Sequence, residues 1–360
     1  MLPYWILFGT FAAGALTARV YQRQERALML LFAAFMMLLM IGLRFRVGVD
    51  WSNYVVIWEQ AQRLSLGRFL GTHNDDPAFY ILTWTLRWLG LPFWILNLLC
   101  AAVFTYGLLR FARLQPNPWL AIAVAVPYLV IVIAMSGIRQ ATAIGFVFLA
   151  LVEFIERRPA RFLAWLAHGA AFHASAIVVL GIVGLSFAKN RFQAGLLLMM
   201  AVVIAYFALG TTFAEYSNEY LRRATVQSSG TFFRLAMAVV AAILYFIFRR
   251  RFAFTPDEHT LWRNFSLFAL AAIPLVYVVP STTAVDRILL YSYPLQITVL
   301  SHVPYAISRD QLQRMISMLP ILAYLAAIMI VFFSYGVNRH PYVPYRMYPF
   351  ADEVSRGAKT

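Results

Sequence analysis

Apolar residues in this chain come in long blocks, not in strict alternation with polar ones. The blocks fall at 3–18, 27–43, 77–109, 117–135, 138–155, 162–187, 192–210, 231–248, 262–279, 288–306 and 315–335. About 20 apolar residues in a helix cover a hydrocarbon core of roughly 30 Å, and a backbone in lipid must satisfy its own hydrogen bonds. The pattern predicts an all-α, polytopic integral membrane protein with about 10–12 transmembrane helices. Residues 1–360 read as a single transmembrane domain, and 1–18, lacking a basic leader, as a retained span and not a cleaved signal peptide.

Two blocks are interrupted. Gly90-Leu91-Pro92 breaks 77–109 and His168-Gly169 breaks 162–187, which predicts broken or re-entrant segments at both places. Apolar positions at helical spacing over 55–70, with Arg63 and Arg68 opposite, predict an amphipathic helix lying in the membrane interface, within a loop spanning 44–76.

Composition agrees with this. Hydrophobic residues make up 62% of the chain, aromatic residues 16% and charged residues 12%, and mean hydropathy is +0.71; a soluble domain has roughly 45–50% apolar residues. The 30 basic residues against 15 acidic give a net charge of +15, which in a soluble protein points to nucleic acid. Here the arginines lie between apolar blocks, so orientation in the bilayer and lipid headgroups explain them and no nucleic-acid partner is expected. The short connections carrying Arg19/Arg23/Arg26, Arg110/Arg113, Arg157/Arg158/Arg161, Lys189/Arg191, Arg249/Arg250/Arg251, Arg263 and Arg309/Arg314 are assigned to the cytoplasm. The 44–76 loop, the Arg139 turn, 214–230, 281–287 and the 337–360 tail then lie outside. A lone cysteine, Cys100, excludes an intramolecular disulfide and reads as a packing residue.

Most of the candidate chemistry falls on that outer face. Arg44, Arg46, Gly48, Asp50, Trp51 and Tyr54 form a dense cationic, acidic and aromatic cluster, with the glycine allowing close backbone approach. Asp50 reads as a general base or sugar-hydroxyl ligand, or alternatively as the ion-pair partner of Arg44 or Arg46. Asp75-Asp76-Pro77 opens a span, where helix capping accounts best for one carboxylate; a cation site would need more oxygen ligands, and no metal or other cofactor is expected. Arg139, in Ser136-Gly137-Ile138-Arg139-Gln140, implies a partner: a phosphate, a carboxylate of another loop, or the membrane interface reached by snorkelling. His173, with His168 on the same apolar run, reads as an intramembrane functional histidine or as interhelical glue. Asp286-Arg287 opens the tyrosine-rich span, and the tail around Tyr345 suits an ordered cap, a carbohydrate-stacking surface or an interface anchor.

In this order, Arg46-Val-Gly48-Val-Asp50-Trp51-x-x-Tyr54, Asp76-Pro77-x-Phe79, Arg139-Gln140, Phe172-His173-x-Ser175, Asp286-Arg287 and Pro344-Tyr345 resemble the EpsG family of Wzy-like polysaccharide polymerases. The family usually has tyrosine where Trp51 stands and glutamate where Asp76 stands; both exchanges keep the chemical character. The resemblance implies a glycosyltransferase of GT-C-like fold that joins polyprenyl-pyrophosphate-linked oligosaccharide repeats into exopolysaccharide or O-antigen-type polymer. It further implies undecaprenyl-type carrier lipids and the outer face of a bacterial cytoplasmic membrane. A chain-length regulator and a flippase are the implied partners.

On that reading Arg46, Arg139 and Arg287 neutralise the leaving pyrophosphate and Asp50 or His173 orients or deprotonates the acceptor hydroxyl. Arg44, Tyr54, Asp76, Gln140, Asp286 and Tyr345 support substrate. The alternatives are a transporter or flippase of lipid-linked oligosaccharide, a membrane O-acyltransferase using His173, and an O-antigen-type ligase.

Overall fold

The computed structural model describes residues 1–17, 23–73, 75–187, 230–278 and 282–351. The expected 192–210 span, the 214–229 connection, Arg19, Lys189, Arg191 and the end of the tail lie outside the described residues. The described residues form an all-α protein. Among the described residues five helices are long and apolar enough to cross a membrane, and four shorter segments are also apolar.

Helix α1 (Leu2–Thr17) is followed by α2 (Arg23–Met37), which continues as a π-helical turn at Leu38–Gly42. Two short helices, α3 (Trp51–Arg63) and α4 (Leu66–Gly71), precede α5 (Pro77–Trp88) and the long α6 (Phe93–Ala112). Helix α7 (Pro118–Ala125) passes into a π-helical segment, Val126–Ala134. Pro127, which has no N–H to offer the helical ladder, lies at the start of that change of register. Helices α8 (Ile138–Ile155), α9 (Pro159–Phe172), α10 (Val178–Gly184), α11 (Thr231–Phe248), α12 (Pro256–Val278), α13 (Thr282–Leu289), α14 (Tyr293–Ile307) and α15 (Gln311–Tyr335) complete the order.

Local chemistry fixes several starts. Asn117 caps α7 by accepting from the Leu120 N–H at 3.1 Å, with Pro118 in the first turn, and Asp310 caps α15 through the Gln313 N–H at 2.8 Å. Thr255 and Glu258 form a reciprocal capping box ahead of α12. At the centre, α6 and α8 pack with little side chain between them. A Cβ on Gly145 would come within 2.6 Å of the Phe104 Cα, and one on Gly107 would collide with the Gly145 carbonyl.

The bundle has two chemically distinct ends. Arg110, Arg113, Arg157, Arg158, Arg249, Arg250, Arg251 and Arg309 flank helix ends at one of them, where Arg157 pairs with Asp257 at 3.0 Å. The loop 43–50, the turn 135–137, the start of α5, the end of α9 and the tail gather at the other.

The first expected break is present at its expected place, and the second is not at His168-Gly169 but further along the block. The 77–109 block divides at the Gly90 turn (φ 71°) into α5 and α6, and the 12 residues of α5 span only about 18 Å, too short to cross a bilayer. In the 162–187 block the helix runs straight through His168-Gly169 and ends at His173, whose extended backbone (φ −161°, ψ 113°) reverses the chain into α10. The expected 55–70 amphipathic helix is two helices, starts earlier, and is broken at Leu64–Ser65, where both residues are extended. Its apolar face, Tyr54, Trp58, Ala61 and Phe69, packs on Phe79, Tyr80 and Leu96 in a second core lying over the long helices.

Candidate functional site

The acidic pair at the start of α5 faces the end of α9 and the start of α8. Asp76 holds a left-handed conformation (φ 48°, ψ 52°) at the N-cap position yet makes no capping hydrogen bond. The capping expectation therefore fails for Asp76. Its carboxylate turns inward instead: Oδ2 lies 2.9 Å from Arg139 Nη1 and 2.9 Å from His173 Nδ1, and Oδ1 accepts from the Ala174 N–H at 3.1 Å. Asp76 is 2% exposed. Burial acts to raise its pKa, but the hydrogen bond and charge of His173, then Arg139 and the Ala174 amide, outweigh it and hold the carboxyl below the usual range. An ionised carboxylate only accepts hydrogen bonds, so His173 carries its proton on Nδ1 and, when neutral, keeps the Nε2 lone pair available.

Arg139 gathers the cluster. Nη1 also meets Asp75 Oδ2 at 2.9 Å and the Tyr80 hydroxyl at 3.0 Å, and the guanidinium sits 5.8 and 5.7 Å from the Phe79 and Tyr80 ring centroids. The loop-carboxylate alternative for this arginine is thus realised, through two aspartates. The buried Tyr54, edge-on to Phe79 at 5.6 Å, lies in the field of both Arg139 and Asp50.

Asp50 is half-buried beside this group. Its Oδ2 accepts from Ser136 Oγ at 3.2 Å and its N–H donates to the same oxygen at 3.3 Å, so the turn before Arg139 holds it, and neither Arg44 nor Arg46 is its ion-pair partner. This contact depends on Gly48. At φ 100° its backbone lies against Met135 and Ser136, and a Cβ would collide with the Met135 carbonyl.

A second group adjoins the first. Gln140 Nε2 donates to the Arg287 carbonyl at 2.8 Å, and Ser175 Oγ lies 3.1 Å from the Tyr291 hydroxyl. Buried Asp286 pairs with Arg234, whose guanidinium stands 5.4 Å from the Tyr128 ring centroid. Asp50, Tyr54, Asp76, Arg139, Gln140, His173, Asp286 and Arg287 therefore meet at one end of the bundle, although up to 237 positions separate them in the chain, from Asp50 to Arg287. Among the described residues no group of three or more histidine, cysteine, aspartate and glutamate side chains is arranged to hold a metal ion.

A family model, the EpsG family, matches residues 27–347. The chain belongs to the EpsG family. No curated protein and no solved structure matches it.

In this EpsG-family chain Arg44 and Tyr345, two residues expected to bind substrate, have their polar atoms bonded within the protein. Arg44 is 1% exposed and donates to the carbonyls of Ile41 (2.6 Å) and Val47 (3.3 Å) and to Asn97 Oδ1 (3.5 Å). Burial pushes its pKa down to about 10, which leaves it protonated at neutral pH. The Tyr345 hydroxyl donates to the Met40 carbonyl at 2.9 Å and its ring meets Tyr4 edge-on at 5.6 Å, so the tail here is an ordered cap. The cap is completed by an antiparallel bridge between Arg44 and Met347 and by the Gly48 N–H donating to the Pro341 carbonyl at 3.1 Å.

Arg46 faces another way from its neighbours. It is exposed, at φ 52°, and with Arg346 borders a cavity of about 680 Å³ walled by Pro3, Met36, Leu39, Met40 and Phe350. His168 bonds its own helix at the Ala164 carbonyl, 2.7 Å away, and takes no part in the cluster.

Sequence reasoning overlooked Ser136, Tyr80, Ser175, Tyr291 and Arg234 as members of this group. Tyr80 stands four positions after Asp76 on one helix face, a readable spacing. Arg234, a cation inside an apolar block, carried a signal of its own.

Proposed function

We propose that this protein is a Wzy-like polysaccharide polymerase of GT-C type, joining polyprenyl-pyrophosphate-linked oligosaccharide repeats at the end of the bundle away from its basic connections. With positive residues retained inside, that end is the outer face of a bacterial cytoplasmic membrane. Family membership supports the class of reaction, and the Asp76–His173–Arg139 cluster is the single observation that carries the site assignment.

In this reading His173 Nε2 takes the proton of the acceptor sugar hydroxyl while Asp76 fixes the ring and stabilises the imidazolium that forms. The acceptor oxygen bonds to the anomeric carbon of the donor as the bond from that carbon to the pyrophosphate oxygen breaks. The bonding pair leaves with polyprenyl pyrophosphate, and direct displacement inverts the anomeric centre. Arg139, with its charge already shared by Asp75 and Asp76, positions the cluster. The net acidic character there suits the hydroxyl better than a second anion. Arg46 and Arg346, beside an apolar cavity, suit the lipid pyrophosphate, and Asp50, Gln140 and Arg287 border the sugar path.

The test is purified protein in liposomes with a synthetic polyprenyl-pyrophosphate-linked repeat unit and no ion gradient. Elongated glycan on the carrier lipid is the expected product. Lipid movement without elongation refutes the polymerase reading in favour of a carrier.

A further inference from the structure

We infer that the basic end of the bundle holds a binding site for an anionic phospholipid, separate from the cluster at the opposite end. A cavity of about 1020 Å³ opens there between α1, α2, α6, α7 and α15, at the upper limit of the roughly 300–1,000 Å³ typical of ligand pockets. Its walls are largely apolar, with Leu16, Leu30, Leu31, Ala34, Ile122 and Met318 among them. At the helix ends it is bordered by Arg110, Arg113 and Arg314. Among the described residues no carboxylate lines it and none forms an ion pair with these arginines.

The arginines are only partly engaged. Arg314 stacks on Tyr305 at 5.0 Å and donates through Nη2 to the Arg309 carbonyl at 3.3 Å, while its Nε is buried without a hydrogen-bond partner. A buried donor left unmatched is costly, and an acceptor oxygen from a ligand removes the cost. Of the two amide side chains in the lining, Asn117 and Gln311, Asn117 donates to the Ala15 carbonyl at 2.9 Å and accepts from the Leu120 N–H at 3.1 Å, so its amide is already engaged.

Charge and shape select the occupant. Largely apolar walls suit acyl chains better than a free sugar, and three guanidinium groups with no carboxylate beside them among the described residues repel cations. A zwitterionic lipid brings its own cation into the same positive field. A phospholipid with net negative charge places phosphate oxygens at the guanidinium groups and acyl chains along the apolar walls, the arrangement expected of basic pockets between membrane helices. The lipid is structural or regulatory, because its site and the acidic cluster lie at opposite ends.

The experiment is native mass spectrometry of the purified full chain with phosphatidylglycerol and chain-matched phosphatidylcholine. The expected result is preferential retention of phosphatidylglycerol, weakened by salt. Each arginine contributes roughly fivefold, so Arg110→Gln, Arg113→Gln and Arg314→Gln together lower retention on the order of 100-fold. Because that triple variant risks misfolding, Ala34→Trp serves as a second probe. It fills the apolar part, leaves the arginines intact, and is expected to lower phosphatidylglycerol retention while the thermal transition is kept. Equal retention of phosphatidylcholine, or unchanged retention in both variants, overturns the inference. So does stoichiometric displacement by the lipid-linked repeat unit, which identifies the groove as part of the substrate path. Polymer synthesis with wild-type phospholipid retention in Ala34→Trp refutes this site alone and leaves the polymerase reading standing.

Discussion

His173 Nδ1 lies 2.9 Å from the Asp76 carboxylate across 97 positions of sequence, because α9 ends at His173 and the left-handed turn at Asp76 presents its side chain to that end. The pairing fixes the tautomer and aims Nε2 away from the acid. His173→Ala is expected to lower the rate of glycan elongation about 10²–10⁴-fold. Asp76→Asn keeps the shape but reverses the hydrogen-bond demand on the ring, and a similar loss is expected. Rates of elongation on a synthetic lipid-linked repeat, normalised to folded protein, decide this; wild-type rates in both variants exclude the pair from the chemistry.

The same carboxylate links stability to acid. Its native pKa is held below the ordinary carboxylate value, which is about 3.9 in an unfolded chain. A depressed native pKa contributes stability that is fully present above the unfolded value and is lost as pH falls through the native one. Thermal transitions of the wild type should therefore drop on acidification below about pH 4. Asp76→Asn should begin less stable at neutral pH and show a flatter slope across that window.

Gly48 offers a purely steric test. Alanine there must adopt φ 100° and push its Cβ into the Met135 carbonyl, which also displaces the turn that holds Asp50 through Ser136. The expected cost is about 1–3 kcal/mol for the backbone conformation alone. Gly48→Ala should therefore lower both the thermal transition and elongation. Gly67→Ala, at a glycine with open space around its Cβ position and inside a helix, serves as the control and should not be destabilised.

The physical reasons why some of this was readable in sequence, and some was not, are specific. Apolar blocks report helices because lipid leaves the backbone no other choice, and the Gly90 turn and the close approach at Gly48 were visible because only glycine suits them. The break at His173 was not visible. Ala171-Phe172-His173-Ala174 carries no proline or glycine, and what ends the helix is the tertiary pull of Asp76 on the imidazole and on the Ala174 N–H. Which arginines face outward was equally hidden. Arg44 and Arg46 are two positions apart, yet one is buried on backbone carbonyls and the other is exposed, a difference set by the left-handed turn at Arg46. The Arg234–Asp286 pair joins helices whose register no local pattern encodes.

That contrast separates structure from function at Arg44. Replacing it by glutamine abandons carbonyls on Ile41 and Val47 in a buried place, where hydrogen bonds to a charged donor contribute about 1.5–3 kcal/mol. Arg44→Gln should lower the thermal transition and loosen the tail, because the backbone of Arg44 pairs with Met347. Limited proteolysis between 336 and 351 reads that loosening. A fully stable variant with a protected tail contradicts the packing role.

Arg46 and Arg346 call for the opposite pattern. Arg46 is exposed, makes no ion pair among the described residues, and shares with Arg346 the border of the apolar cavity beside α1 and α2. Exposed arginines contribute little to folding, so Arg46→Ala and Arg346→Ala should leave the thermal transition within about 0.5 kcal/mol of the wild type. If they grip the pyrophosphate in ground and transition states alike, each loss raises KM for the lipid-linked donor with kcat nearly unchanged; if they act on charge that develops as the bond breaks, kcat falls instead. The proposal that they seat the donor lipid predicts the first of these. Increased ionic strength should mimic the variants, because exposed charges are screened beyond about 8–10 Å. Elongation kinetics at two salt concentrations on the single and double variants measure it, and kinetics identical to wild type in the double variant place the leaving group elsewhere.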